Sequence, residues 1–484
     1  MKKRVGIMLI LLAAGISVMS QNERDAFRYA QYSPTGTARY SSLAGSMGAF
    51  GADFSCLSAG NPAGIGLFKR FEFTLTPFLS YNNISADYNG EKINREKYKF
   101  GINNLGIVLA GFIDTVSGWK AIQFATGLNN LARYDGNSMV LGTNDGITNF
   151  FNAIANQANG TKYNSLTGFM SAAWVHYLID TLNGNDNYFT PVHALLNQQQ
   201  LRESSGYLNE YVFSLGGNYD DKLFLGATLG VPFFNYYQRT TYTESRNPFY
   251  DSLIVYDEFR SKASGINLKL GIIYQPFQYL RLGAAFHTPT FYPKVKETFQ
   301  TTFEVWNIPI DSSFYDINYG EDEIGGFNYQ LRTPYHAMAN IAFIYKNRGF
   351  VNVDYEYVDY ATSNMQSDSY NFLSENRSIN QNYRGTHIIR AGGELNLSPV
   401  VLRLGYAYSS NPYSRDIEKD GSCHTISGGI GFKTKTFFAD FAYMYKFTHD
   451  KDVFYEHSLL NPYTSLITNQ FFALTLGWKL GKNN

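Results

Sequence analysis

The sequence predicts an all-β membrane protein, an antiparallel barrel of roughly fourteen strands closed around a small N-terminal plug. Three observations carry this. After residue 20 no apolar run is long enough to cross a bilayer as a helix, and a chain that crosses lipid without helices must close its ladders into a barrel. Segment after segment alternates apolar and polar residues with the two-residue period of a strand. Short polar turns and long polar connections then follow one another along the chain, as they do at the two ends of outer-membrane barrels.

Composition agrees. The 484 residues include 38 Tyr, 38 Phe and 4 Trp, with only 17% charged residues. The 40 basic and 40 acidic residues balance, so the surplus of cations that a nucleic-acid binder needs is missing and no nucleic-acid partner is expected. Cys56 and Cys423 are too few for a disulfide framework or a structural zinc site; both are expected to be free thiols, with a single bridge between them as the alternative. No linker or low-complexity stretch divides the chain, so one architecture is expected over its length.

The elements follow in order. Met1 to Arg4 is basic, Val5 to Val18 is apolar, and Ser20 ends a segment that reads as a signal peptide over residues 1–20, cleaved after Ser20. An N-terminal anchor is the alternative, but the apolar stretch is shorter than the ~20 residues of a spanning helix. Loss of Lys2, Lys3 and Arg4 leaves the mature chain weakly acidic. Residues 21–66 are rich in Gly, Ala and Ser and cannot form a lipid-facing strand. They are expected inside the barrel as a hatch.

Residues 67–484 are the expected barrel. Phe71, Phe73 and Leu75 alternate with Glu72 and Thr74, interrupted at Pro77, and Leu268, Leu270 and Ile272 alternate with Lys269 and Gly271. The pattern returns in Val351-Val353-Tyr355-Tyr357, in Leu402-Leu404-Tyr406-Tyr408, in Phe437-Ala439-Phe441-Tyr443 and in Phe472-Leu474-Leu476-Trp478. Short turns are read at Asp220-Asp221, 275–278, 346–349, Ser398-Pro399 and 433–435, with long connections near 135–206, 246–258, 307–322, 363–384, 410–421 and 450–467. The first of these carries helical patches over 147–205, with Leu166, Phe169, Met170, Ala173, Tyr177 and Leu178 on one face. It is expected to be a partly helical extracellular loop, either binding ligand or packing on its neighbours.

The plug reads Leu43-Ala44-Gly45-Ser46-Met47-Gly48-Ala49-Phe50-Gly51 and then Ser58-Ala59-Gly60-Asn61-Pro62-Ala63-Gly64. Followed by a barrel of this size, it resembles the hatch of the FadL-like family, outer-membrane transporters of long-chain fatty acids and aromatic hydrocarbons. Arg281 to Thr290, Val353 to Tyr357 and Arg403 to Tyr408 look like the family's middle and later strands, so the resemblance spans the mature chain. It implies a gate in which Asn61, Pro62, Ala63 and Gly64 lie beside an inward kink of the third strand, where a gap in the wall releases substrate sideways. Gly127, Asn129 and Asn130 interrupt the matching strand as a kink would; ordinary lumen-facing residues are the alternative. The helical loop follows the third strand here, a departure from the family, so no loop residue is carried over.

Strand alternation turns Glu72, Arg281, Asp354, Glu356, Arg390, Glu394, Arg403, Asp440 and Lys479 inward. A mixed-sign belt can pair with itself and with the plug. Alternatively, Arg281, Arg390 or Arg403 attracts the carboxylate of a fatty acid. The 8 His are dispersed without ligand spacing, and no nucleophile elbow or phosphate-binding loop is found. No metal, cofactor or enzymatic activity is expected. Energy-coupled receptors need ~22 strands and a large plug, more than this chain holds, so passive transport of a hydrophobic small molecule is the leading expectation. A structural or adhesive barrel and a receptor for a haem-like ligand are the alternatives. The expected surroundings are outer-membrane lipid of a Gram-negative bacterium, reached as a monomer through the barrel assembly machinery.

Overall fold

The computed structural model describes residues 23–481 apart from 113–117, 145, 147, 182–185, 193–194, 248, 311–312, 321–324, 347 and 456–460. The expected signal peptide lies outside the described residues. Among them, 14 antiparallel strands close into one barrel.

Strand β1 is Phe71–Tyr88, β2 is Glu91–Phe112, and β3 is Trp119–Arg133 continued by Gly136–Thr143. Then come β4 (Asn197–Tyr219), β5 (Leu223–Asn247), β6 (Tyr250–Ser264 and Asn267–Phe277), β7 (Leu280–His287 and Phe291–Ile310) and β8 (Gly325–Arg332 and His336–Tyr345). The circuit ends with β9 (Gly349–Asp359), β10 (Gly385–Leu397), β11 (Val400–Ser409), β12 (Cys423–Lys433), β13 (Phe437–Asp452) and β14 (Tyr463–Leu480). β14 pairs with β1 from Phe71↔Leu480 to Asp87↔Thr464, which closes the wall. Pro77, which cannot donate to a ladder, sits where the β1–β2 register shifts.

The alternation behaves as the sequence requires. On β9, Val351, Val353 and Tyr355 are 55%, 39% and 40% exposed, whereas Asn352, Asp354 and Glu356 between them are 0%, 4% and 1% exposed. The outer face is thus an apolar band, and Phe71, Tyr219, Phe277, Tyr279, Tyr345 and Trp478 ring its short-turn end, as an aromatic girdle does.

The two ends differ, though less simply than turn spacing implies. Asp220, Asp221 and Lys222 turn β4 into β5, with both aspartates in the left-handed region as in a tight hairpin. At the opposite end, the two residues Asn89-Gly90 close β1–β2. The connection expected at 246–258 is almost absent, because β5 runs to Asn247 and β6 starts at Tyr250. Similarly, 136–143 and 197–206 are strand, and the excursion between β3 and β4 covers 144–196. These hairpins project beyond any lipid: β5 has 25 residues, while a tilted strand crosses the apolar layer in about 10. Outside that layer a strand needs no apolar face, so its Thr-, Tyr- and Asn-rich sequence reads as loop.

Two helices in the excursion, α4 (Phe150–Ala158) and α5 (Gly168–Val175), cap the long-loop end. Asn149 and Asn152 cap α4 reciprocally. Phe150, Phe151, Phe169 and Met170 pack with Tyr242 and Phe303 of the projecting strands and with Phe454 just beyond β13. Tyr177, expected on the buried face, is exposed.

Candidate functional site

The segment 23–67 lies inside the barrel. It comprises α1 (Glu23–Ala30), α2 (Ala38–Ser42), α3 (Cys56–Ala59) and a 3-10 turn at Pro62–Leu67. Small residues keep these elements short and let them fold back on one another. Thr37 caps α2 by accepting from the Tyr40 amide, and its hydroxyl donates to both Asp53 oxygens at 2.8 and 2.7 Å. Asp53 also accepts from the Ser55 amide at 2.9 Å. Burial pushes the Asp53 carboxyl above its ordinary range, opposed by the Thr37 hydroxyl. Cys56 and Cys423 are free.

Wall glycines give the plug its seat. Gly392 and Gly405, paired across β10 and β11, face Leu43. Gly226 of β5 and Gly271 of β6, also paired, face Pro62 and Asn61. Gly106 and Gly127, paired across β2 and β3, face the ring of Phe54. At each pair a Cβ would crowd the plug: its backbone at Gly405 and Gly226, and the Phe54 ring at Gly106 and Gly127.

Polar side chains complete the attachment. Asp354 accepts from the Gly48 amide at 3.0 Å and from the amides of Asn340 and Asn352, each at 2.8 Å. Asn352 Oδ1 accepts from Ala49 and Phe50, both at 3.2 Å. Arg281 donates to the Phe50 carbonyl and to Gln275, each at 2.9 Å. Arg390 pairs with Glu356 at 2.6 Å, and Glu356 also meets His336 Nδ1 at 2.6 Å. Arg403 bridges Glu394 and Asp440, both at 2.7 Å, while Arg39 of the plug holds the same Glu394 at 2.8 Å. Glu72 and Lys479 pair at the strand ends, 3.4 Å apart.

Every belt residue singled out from the sequence is therefore inward, and the three arginines considered for a ligand carboxylate are engaged within the protein. One buried tie to the plug was not singled out. Lys269 of β6 and Glu210 of β4 form a fully buried ion pair, and Lys269 Nζ also donates to the Ser58 carbonyl at 2.6 Å. His287 reaches the Gly60 carbonyl at 2.8 Å. Alternation turns Lys269 inward; its partner is recognisable only once β4, β5 and β6 are side by side.

The third strand breaks the wall. The β2–β3 ladder runs from Phe112↔Ala121 to Asn104↔Asn129 and stops. Beyond that point β2 pairs with β1 alone, and β3 pairs with β4 alone, with a bulge between Asn130 and Ala132. Asn130 stabilises the bend by donating to the carbonyls of Ala132 and Leu208 at 3.0 and 3.2 Å. The outer part of β3 swings inward behind the β1–β2 hairpin, where Asn82 donates to the Asp135 carbonyl and Asn89 to that of Thr143, both at 2.9 Å. A seam opens between β2 and β3, bordered outside by Tyr98, Phe100 and Ile102, which are 64%, 73% and 58% exposed.

Plug residues touch this seam, but not those expected. Asn129 Nδ2 donates to Ser58 Oγ at 2.7 Å, and Ser55 Oγ to Asn129 Oδ1 at 3.4 Å. Asn61 instead faces β6, β7 and β8, donating to the carbonyls of Ile272 and Ala284 at 3.1 and 3.2 Å and to Asn340 at 3.2 Å. Its Oδ1 caps the 3-10 turn at the Ala63 amide, 3.0 Å away. The chain passes Asn129 one turn earlier, at α3, and Asn61 moves on to the glycine pair that leaves it room. Gly127 likewise serves Phe54 rather than the bend; Asn129 and Asn130 make the kink.

Above the plug, α1 fills the lumen towards the long loops. Tyr29 stacks on Phe234 with ring centroids 3.8 Å apart, Phe27 on Tyr383 at 4.7 Å and Tyr32 on His336 at 4.7 Å. Arg24 and Arg202 share Asp452, at 2.8 and 3.2 Å. Beside the seam two cavities of about 190 and 160 Å³ remain, both lined by Ser33, Arg133, Tyr134 and Lys446.

This architecture is similar to that of solved channels. A FadL homologue of Pseudomonas aeruginosa matches with a TM-score of 0.57 and 13% identity over 93% of this chain and 100% of that one. The toluene transporter TbuX of Ralstonia pickettii matches at 0.53 and 16%, over 94% and 100%, and the monoaromatic hydrocarbon channel CymD at 0.50 and 12%, over 94% and 99%. The chain has their fold. No family model and no curated protein matches the sequence.

Proposed function

We propose that the chain is a FadL-like outer-membrane channel that passively carries hydrophobic small molecules, long-chain fatty acids or aromatic compounds, and releases them sideways into the bilayer. The observation that carries this reading is the seam: the β2–β3 ladder ends at Asn104↔Asn129, and the residue at its edge is hydrogen-bonded to the plug. An apolar solute leaving there passes from protein to lipid without crossing water, keeping the ~0.8 kcal/mol per methylene that burial contributes. The short-turn end, where both ends of the barrel lie, is taken as periplasmic, and 144–196 as the extracellular cap. Residues 21–66 act as the hatch, with Ser55 and Ser58 against the seam and Asn61 to Gly64 as its anchor on β5 to β8. Cavities of 190 and 160 Å³ are too small for a long acyl chain, so α1 and the hatch must shift for a ligand to pass. The chain is exported with cleavage after Ser20, inserted by the barrel assembly machinery and monomeric.

The test is accumulation of labelled oleate and labelled toluene by cells that lack their own hydrophobic-compound channels. The protein is expected to raise accumulation of at least one of them several-fold over empty vector. Equal accumulation with and without the protein, at confirmed surface expression, would remove the proposal.

A further inference from the structure

The outward face of β8 to β11 carries a depression of about 860 Å³ near the short-turn end. Its origin is one residue. Phe343, Val351, Gly393 and Leu404 lie in register across the four strands, and the three with side chains are 53%, 55% and 74% exposed. The missing side chain at Gly393 leaves a trough between Val351 and Leu404. Unlike Gly392 beside it, which faces Leu43 of the plug, Gly393 has no packing reason to be glycine: a Cβ there would meet nothing nearer than Phe350 O at 3.6 Å and Val351 Cγ2 at 3.9 Å. Its φ lies outside the left-handed region.

At the short-turn end the trough reaches Arg348, flanked by Tyr279 and Tyr345. Arg348 is exposed, and among the described residues no ion pair engages it. A guanidinium beside tyrosines at the level of the aromatic girdle is suited to a phosphate, which it binds through paired N–H donors. A second depression of about 560 Å³ on β3 to β6 is lined by Trp119, Ile122 and aliphatic or glycine residues, without a cation. Only the first offers both an apolar trough and a headgroup partner.

We propose that the Gly393 trough binds one phospholipid of the leaflet at the short-turn end, its acyl chain over Gly393 and its phosphate on Arg348. The site lies on the wall opposite in chain order to the seam and does not depend on the transport reading. The bulk of neighbouring Phe343, Leu402 and Leu404 walls the chain, and the tilt of the strands directs it from the girdle towards the middle of the layer.

The experiment is native mass spectrometry of the full chain released from micelles containing phosphatidylglycerol, phosphatidylcholine or inorganic phosphate. The wild type is expected to retain one phosphatidylglycerol in preference to phosphatidylcholine. Gly393→Leu and Val351→Trp, which fill the trough from its floor and from one side, are expected to cut that retention at least tenfold while each keeps the heat-modifiable gel mobility of a folded barrel. Arg348→Ala is expected to abolish the preference for the anionic lipid, and Arg348→Lys to restore part of it. Retention unchanged in both filling variants would overturn the proposal, as would retention of phosphate alone at the level of the lipid, or a dimer that the filling variants dissociate.

Discussion

Asn129, the last residue of β3 paired to β2, donates its side-chain amide to Ser58 of the plug at 2.7 Å. The end of the β2–β3 ladder and the plug are thus joined directly, with Ser55 Oγ adding a longer bond to Asn129 Oδ1 at 3.4 Å. Around it, Asn104 donates to Asn129 Oδ1 at 3.3 Å and accepts from Thr74 at 2.9 Å. These polar contacts, each worth about 1 kcal/mol net, add to the packing of the Phe54 ring on Gly106 and Gly127 beside them.

The glycine seat makes the first prediction. Gly405→Leu would drive a side chain into the backbone of Leu43 and Ala44, displacing the plug while leaving the outward face of the wall untouched. Liposome swelling in small sugars should rise several-fold over wild type. Wild-type impermeability with the barrel folded would show that the plug does not depend on backbone contact there.

The buried belt makes the second. Arg403→Met leaves the buried carboxylate of Asp440 without its cation while Glu394 keeps Arg39, and stranding a buried charge costs about 3–5 kcal/mol. The urea midpoint in micelles should fall sharply, and Arg403→Met with Asp440→Leu should recover part of the loss. If the single variant unfolds at the wild-type midpoint, the belt is not holding the plug.

How far the sequence reveals this arrangement depends on the range of the interaction. Alternation is local, so the strands, the inward direction of Asp354, Glu356, Arg403 and Asp440, and the turn at Asp220-Asp221 could all be read directly. The projecting hairpins could not, because strands outside lipid lose the apolar face by which strands are recognised; Asn89-Gly90 was the available signal. The partners of Arg39 and Lys269 lie on distant strands, and their pairing follows only from closure. The direction of Asn61 depends on where paired glycines leave space, which a single stretch of sequence does not disclose.

A third prediction concerns α1. Tyr29, stacked on Phe234 and 1% exposed, occupies aromatic space that a ligand would use. Tyr29→Ala together with Arg24→Ala, which frees α1 from Asp452 while Arg202 stays paired to it, should raise the rate of fluorescent fatty-acid binding about tenfold in micelles. An unchanged rate would mean that α1 does not compete with the ligand.

The central claim is that plug movement at the seam permits passage. It is tested most directly by introducing Ser58→Cys and Asn129→Cys into a Cys56→Ser, Cys423→Ser background and joining the two thiols with a short reducible cross-linker. Uptake of the substrate identified in cells should fall at least tenfold on cross-linking and return on reduction. Full uptake by the cross-linked protein would contradict the account.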